Sequence, residues 1–166
     1  MIPNFLIILL AAIVPLIIGF IWYNPKVFGT AWMNASGMTE EKAKGANMPL
    51  VFGLTFVFSI FIAFTMNFIV IHQWSFYSIL ANEPGFNDPN SEIGKFISGF
   101  MEKYGNNFRT FKHGALHGTI SGIFFVFPII AINALFERKS FKYIFINAGY
   151  WTLCFAVMGG IICAFP

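Results

Sequence analysis

The chain has 166 residues, enough for one compact domain, yet 57% of them are hydrophobic and only 10% charged, far below the roughly 25% charged content of soluble domains. With a mean hydropathy of +0.72, the sequence predicts an integral membrane protein with lipid as its main surroundings. The net charge of +3 comes from Lys and Arg gathered in short polar stretches, which excludes the continuous basic surface that a nucleic-acid partner requires.

Four stretches approach the roughly 20 apolar residues that cross about 30 Å of hydrocarbon as a helix. They cover residues 4–23, 49–72, 114–136 and 141–165. With no water in the hydrocarbon to satisfy backbone amides, each must be helical. The expected fold is therefore all-α, an integral membrane bundle of four transmembrane helices forming a single domain. The N-terminus lacks the basic region of a secretory signal, so it reads as an uncleaved first span. Pro15 and Pro128 fall inside spans one and three, where a neighbouring helix or a hydroxyl must cover the freed carbonyl.

The first loop follows Trp22 and Tyr23, suited to a membrane interface, and Pro25, which ends the span. In it, Thr39 before Glu40 and Glu41 reads as the N-cap of a short helix closed by Gly45. In the second loop, Ile93, Phe96, Ile97, Phe100, Met101 and Tyr104 recur at helical spacing. They predict an extra amphipathic interfacial helix over about 91–104, capped by Asn90 or Ser91, lying on the bilayer surface or over the bundle. Loops one and three carry Lys26, Lys42, Lys44, Arg138, Lys139 and Lys142, against Lys95, Lys103, Arg109 and Lys112 in loop two. The positive-inside rule then places both termini outside the cytoplasm.

Span three opens with Gly114, Gly118 and Gly122 at four-residue intervals, and span four offers Ala156, Gly160 and Ala164 at the same spacing. Ridges of missing side chains let helices approach closely, so spans three and four are expected to pack together, with self-association through one of these faces as the alternative. The two cysteines, Cys154 and Cys163, fall nine residues apart on one helix, too far to bridge, and read as small buried residues.

Histidine placement is the strongest candidate for chemistry. His72 ends span two, and His113 and His117 begin span three one turn apart, so all three meet the same interface. Two imidazoles at that spacing can chelate a metal such as Zn or Cu, or one can ligate a haem; structural capping of the helix ends is the competing reading. Asn67, a turn and a half deeper, is a further candidate member. A second polar set comprises Asn133 on span three and Asn147, Tyr150 and Trp151 on span four. Asn133 and Asn147, at similar depth, are expected to bond across the helix pair, the alternative being a pocket for a headgroup, quinone or small substrate. No nucleophile elbow, phosphate loop, dinucleotide fingerprint or intramembrane carboxylate pair is present. No catalytic residue is assigned and no cofactor is demanded. An accessory or partner-binding subunit follows as the first expectation, its partners being lipids and other membrane subunits or further copies of itself; a histidine-based metal, haem or ligand protein is the second.

Two motifs carry a family resemblance. One is Trp22-Tyr23-Asn24-Pro25 with Phe28-Gly29, Trp32-Met33 and Gly37-Met38-Thr39-Glu40-Glu41 after it. The other is Asn133-Ala134-Leu135-Phe136-Glu137-Arg138 leading to Asn147-Ala148-Gly149-Tyr150-Trp151 and Met158-Gly159. On these the chain resembles the small bacterial membrane proteins of unknown function of the DUF 1761 type, from the first span to the last. The resemblance implies four spans in a bacterial cytoplasmic (inner) membrane and brings no activity and no catalytic residues with it. Phe111-Lys112-His113-Gly114-Ala115-Leu116-His117-Gly118 and the long second loop resemble a subgroup feature rather than the family core.

Overall fold

A computed structural model describes residues 2–165, and among them every regular element is a helix. The first span is α1 (Phe5–Trp22), opened by the Asn4 side chain accepting from the Ile7 amide. Two short helices follow, α2 (Gly29–Ser36) and α3 (Glu40–Lys44). Thr39 caps α3 through its hydroxyl and Gly45 ends it. The second span is α4 (Met48–Val70), capped by Asn47. The long second loop folds into α5 (Gln73–Leu80) and α6 (Glu92–Tyr104). The third span runs from α7 (Phe111–Ser121) through a wide π turn, Gly122–Val126, into α8 (Phe127–Phe136), and the fourth is α9 (Phe141–Ala164).

The four spans are long and apolar enough to cross a membrane. α9 is the most buried of them and forms the middle of the bundle. On one side it meets α1 and α4 around a core of Ile8, Ala11, Val14, Ala63, Met66, Cys154 and Met158. On the other it meets α7, where the glycine ridge does what its spacing predicted. A methyl group on Gly114 would collide with the Gly159 carbonyl, and one on Gly118 with the carbonyl of Phe155. The facing row on α9 differs from the strict four-residue row. Ala156 meets Gly118, but one turn on the close approach is made by Gly159 and then Cys163, while Gly160 receives the ring of Phe111. A helix has 3.6 residues per turn, so a row spaced by four drifts around the axis, and the contact steps back by one to stay on the seam.

The two prolines sit in different surroundings. Pro128 has no amide for the Phe124 carbonyl, and the π turn before it widens the helix where its ring would collide. Pro15 is buried in α1, and its own carbonyl accepts the Tyr150 hydroxyl at 2.8 Å, tying α1 to α9. Cys154 and Cys163 are both buried and free.

Helix α5 was not anticipated from the sequence. Eight residues are too few for a periodic signal to stand out, and its order comes from tertiary contacts. Gln73, 6% exposed, donates its side-chain amide to the carbonyls of Tyr104, Gly105 and Asn107. Phe76 stacks on Phe100 with ring centroids 3.9 Å apart. The apolar stripe of α6 is therefore covered in part by α5, and Ser91 rather than Asn90 caps it, accepting from the Gly94 amide at 2.9 Å.

Candidate metal centre

The break between α4 and α5 positions the first histidine. Ile71 leaves the helix in an extended conformation, and His72 starts the next one. The other two histidines are set by α7. Thr110 caps it by accepting from the His113 amide at 3.2 Å, and Arg109 fastens its entry to the end of α9, donating Nε to the Cys163 carbonyl at 2.9 Å. Burial draws the Arg109 guanidinium below its ordinary range, but a guanidinium stays charged in proteins. The Cys163 thiol in turn lies 3.4 Å from the Val70 carbonyl and 3.3 Å from that of Phe108. The ends of α4, α7 and α9 are thus stitched within one turn of the histidines.

His113-Gly114 and His117-Gly118 repeat at a period of four. Each glycine packs on α9 while each histidine, one position earlier and about 100° around the axis, turns to the α4–α5 junction. There the three imidazoles converge. His72 Nε2 lies 2.9 Å from His113 Nε2, and one nitrogen from each of the three rings falls within 4.8 Å of the others. Ring centroids are 4.9 Å apart for His72 with either partner and 4.5 Å for His113 with His117. The group is able to hold a metal ion. Zinc–nitrogen bonds of about 2.0–2.1 Å in a tetrahedral site put ligand nitrogens roughly 3.3 Å apart, so small ring rotations suffice.

Three further residues border this centre, Phe108, Gln73 and Tyr104, of which the sequence marks only Tyr104, as part of the apolar stripe of α6. Phe108 lies 5.1 Å from the His113 ring and 6.3 Å from His72, and it holds a φ of +62°, a left-handed conformation costly for a bulky residue. Gln73 and Tyr104 join His72, Phe76, Phe100 and Phe108 around a cavity of about 300 Å³. Gln73 and Phe108 have no local sequence signal, because the cavity forms only when α5, α6 and the segment before α7 come together. Asn67 does not join the histidines. Its amide donates to the carbonyls of Ala63 and Phe64 in its own helix.

The second polar set is divided. Asn133 does not bond to Asn147; it is exposed on the outer face of α8. Asn147 instead donates to the Tyr143 carbonyl at 2.8 Å and accepts from the Tyr23 hydroxyl at 2.9 Å. Depth along the membrane was matched, but direction around α8 was not. Tyr23, through its hydroxyl, and Trp22, whose indole donates to the Ile146 carbonyl at 3.1 Å, are the partners that α9 uses. Asn147 and Tyr150 border a cavity of about 920 Å³ together with Tyr23 and Trp32. Trp151 is half-buried against Tyr150 and Phe155.

A family model described as a protein of unknown function, DUF1761, matches residues 6–163. The chain belongs to that family. No curated protein and no solved structure matches it.

Proposed function

We propose that this member of the DUF1761 family is a membrane metal-binding protein that holds one zinc-class ion on His72, His113 and His117. The single observation behind this reading is the convergence of three imidazole nitrogens within 4.8 Å on two different helical segments. Residues serving only to cap helix ends would each turn to nearby carbonyls. Here the three rings face one another: His72 and His113 share one hydrogen bond between their Nε2 atoms at 2.9 Å, and one nitrogen from each of the three rings is grouped where a cation could take them. No carboxylate or thiol belongs to the group, and an all-imidazole set suits Zn or Cu over Mg or Ca. Three protein ligands leave a fourth position open, the pattern of zinc sites that bind an exchangeable ligand. Positive-inside reasoning sets the site on the outer face of a bacterial inner membrane, where it is reached from the water.

The test is metal analysis of untagged protein purified without chelators, with a zinc competition titration. About one ion per chain is expected, with affinity falling at least tenfold in His113→Ala and in His72→Ala. Equal metal content in wild type and both variants, or no zinc binding at micromolar concentration, would overturn the reading.

Asn133 favours a second reading, an accessory subunit that docks beside other helices or another copy of itself. A primary amide exposed on an otherwise apolar helix face gains most from a partner in lipid. A cysteine at position 133 should crosslink in native membranes; recovery of uncrosslinked monomer alone would remove that reading.

A further inference from the structure

The end of the bundle where α1 begins and α4 and α9 finish holds a second cavity, bordered by none of the three histidines. It measures about 140 Å³ and is lined by Asn67, Ile71, Arg109 and Ile162, with the exposed Ile2 and Phe165 at its mouth. Two polar side chains there are left incomplete in complementary ways. Asn67 is 4% exposed, and its Nδ2 donates to the Ala63 and Phe64 carbonyls, which leaves Oδ1 an acceptor with no donor among the described residues. Reversing the amide would set its oxygen against both carbonyl oxygens. Arg109 donates Nε to the Cys163 carbonyl, and its terminal N–H groups have no partner among the described residues. Neither the Asn67 oxygen nor these nitrogens are sealed away, since the enclosed orphan atoms are those of Ser59, Gln73 and Trp74. The Trp74 indole nitrogen therefore takes no part, although Trp74 borders the cavity. Among the described residues no acid lines it, so a half-buried guanidinium faces it without a counter-charge.

We propose that this cavity receives the head of a phospholipid, its phosphodiester on Arg109 and a headgroup donor, ammonium or hydroxyl, on Asn67 Oδ1. A guanidinium fork matches two phosphate oxygens, and such charge-assisted bonds are roughly twice as strong as neutral ones. The acceptor beside it asks for an N–H or O–H on the same ligand, which ethanolamine and glycerol heads carry and choline does not. Size argues for a head alone. The cavity has room for roughly five waters at about 30 Å³ each, well under the roughly 300 Å³ at which sites for whole small molecules begin. The body of the ligand stays outside, where the surface it meets is apolar: Ile2 is 84% exposed, Leu6 65% and Phe165 56%. The span ends at Phe5, Val70 and Ala164 set the cavity at the level where headgroups meet hydrocarbon. A free phosphate ion uses Arg109 but gives that apolar mouth no role.

The test takes full-length protein, delipidated in mild detergent and titrated with phosphatidylethanolamine, phosphatidylglycerol or phosphatidylcholine of identical acyl chains. Native mass spectrometry counts the bound lipid. One ethanolamine or glycerol lipid per chain is expected at a concentration at least tenfold below that needed for the choline lipid. Arg109→Gln should weaken all three at least tenfold, and Arg109→Lys, which keeps the charge without the fork, should weaken them less. Asn67→Leu should bring the ethanolamine and glycerol lipids down to the affinity of the choline lipid while leaving the choline lipid as in wild type, a pattern that misfolding does not produce. Equal retention of the three lipids by wild type, or an undiminished preference in Asn67→Leu, overturns the headgroup assignment. Displacement of the bound lipid by millimolar inorganic phosphate makes the free anion the ligand and overturns the lipid.

Discussion

Substituting Gly118 by alanine tests fold and site together. A methyl carbon on Gly118 would lie 2.6 Å from the Phe155 carbonyl carbon and 2.9 Å from the Ala156 Cα, whereas ordinary contact begins at 3.4 Å. The obstructing atoms are backbone on a central helix, so no side chain can swing aside. Helices α7 and α9 must part by roughly 1 Å, an overpacking cost of about 1–3 kcal/mol. In lipid this is a large fraction of what holds two helices, because close van der Waals contact is the main attraction between them. The displacement is passed directly to His117, the preceding residue, and to His113, one turn away. Metal–nitrogen distances are held to about 0.2 Å, so zinc affinity should fall at least tenfold although no ligand has been touched.

Unfolding in mixed micelles followed by circular dichroism gives the stability, and zinc competition gives the affinity. Gly53→Ala is the control, since a methyl group there meets nothing within 4 Å, and the helix propensity of alanine should leave that variant as stable as wild type or more so. If Gly118→Ala matches Gly53→Ala in stability and binds zinc as wild type does, the claim that the glycine seam places the histidines is wrong.

Replacing Gln73 by leucine strands the carbonyls of Tyr104, Gly105 and Asn107 and should cost about 1–3 kcal/mol, seen as faster amide exchange over residues 92–107 with α1 and α9 unchanged. Tyr150→Phe deletes the bond to the Pro15 carbonyl together with the hydroxyl's contact to the Cys154 thiol, for which a loss of about 0.6 kcal/mol, and no more than about 1.7, is expected in micelle unfolding. Phe108→Gly removes a left-handed strain of about 1–2 kcal/mol from a side chain that is 65% exposed, so the melting temperature in micelles should rise.

Much of the architecture is legible because lipid leaves the chain few choices. Four apolar runs must coil, and their ends are marked by residues whose side chains do the capping: Asn4, Asn47, Thr110 and Ser140. The glycine seam is legible for the same reason, since nothing but closeness explains three glycines in one row. Its counterpart on α9 is less so. Gly159 and Gly160 are adjacent, and only the helix crossing decides which one faces α7. Direction around an axis also explains Asn133, whose depth suited a bond to Asn147 but whose azimuth points outward. Tyr23 was assigned to the interface on composition alone, and its bond to Asn147, 124 positions away, leaves no local trace. The same holds for Gln73 and Phe108, whose roles exist only because α5, the end of α6 and the segment before α7 come together.

The histidines fall between these cases, and the reason bears on how such a site is built. Their pairing on α7 follows from spacing, but the arrival of His72 depends on where α4 stops, which Ile71 decides by leaving the helix. Placing ligands next to glycines on one helix gives them orientation without any dedicated loop: the glycine face fixes azimuth and depth against α9, and the histidine face inherits both. A metal bound there would tie α7 to the end of α4, where Cys163 of α9 already bridges the Val70 and Phe108 carbonyls. On the metal-site reading, ion binding and the packing of the third span would be coupled: an ion held more tightly by the intact seam would in turn favour the intact seam.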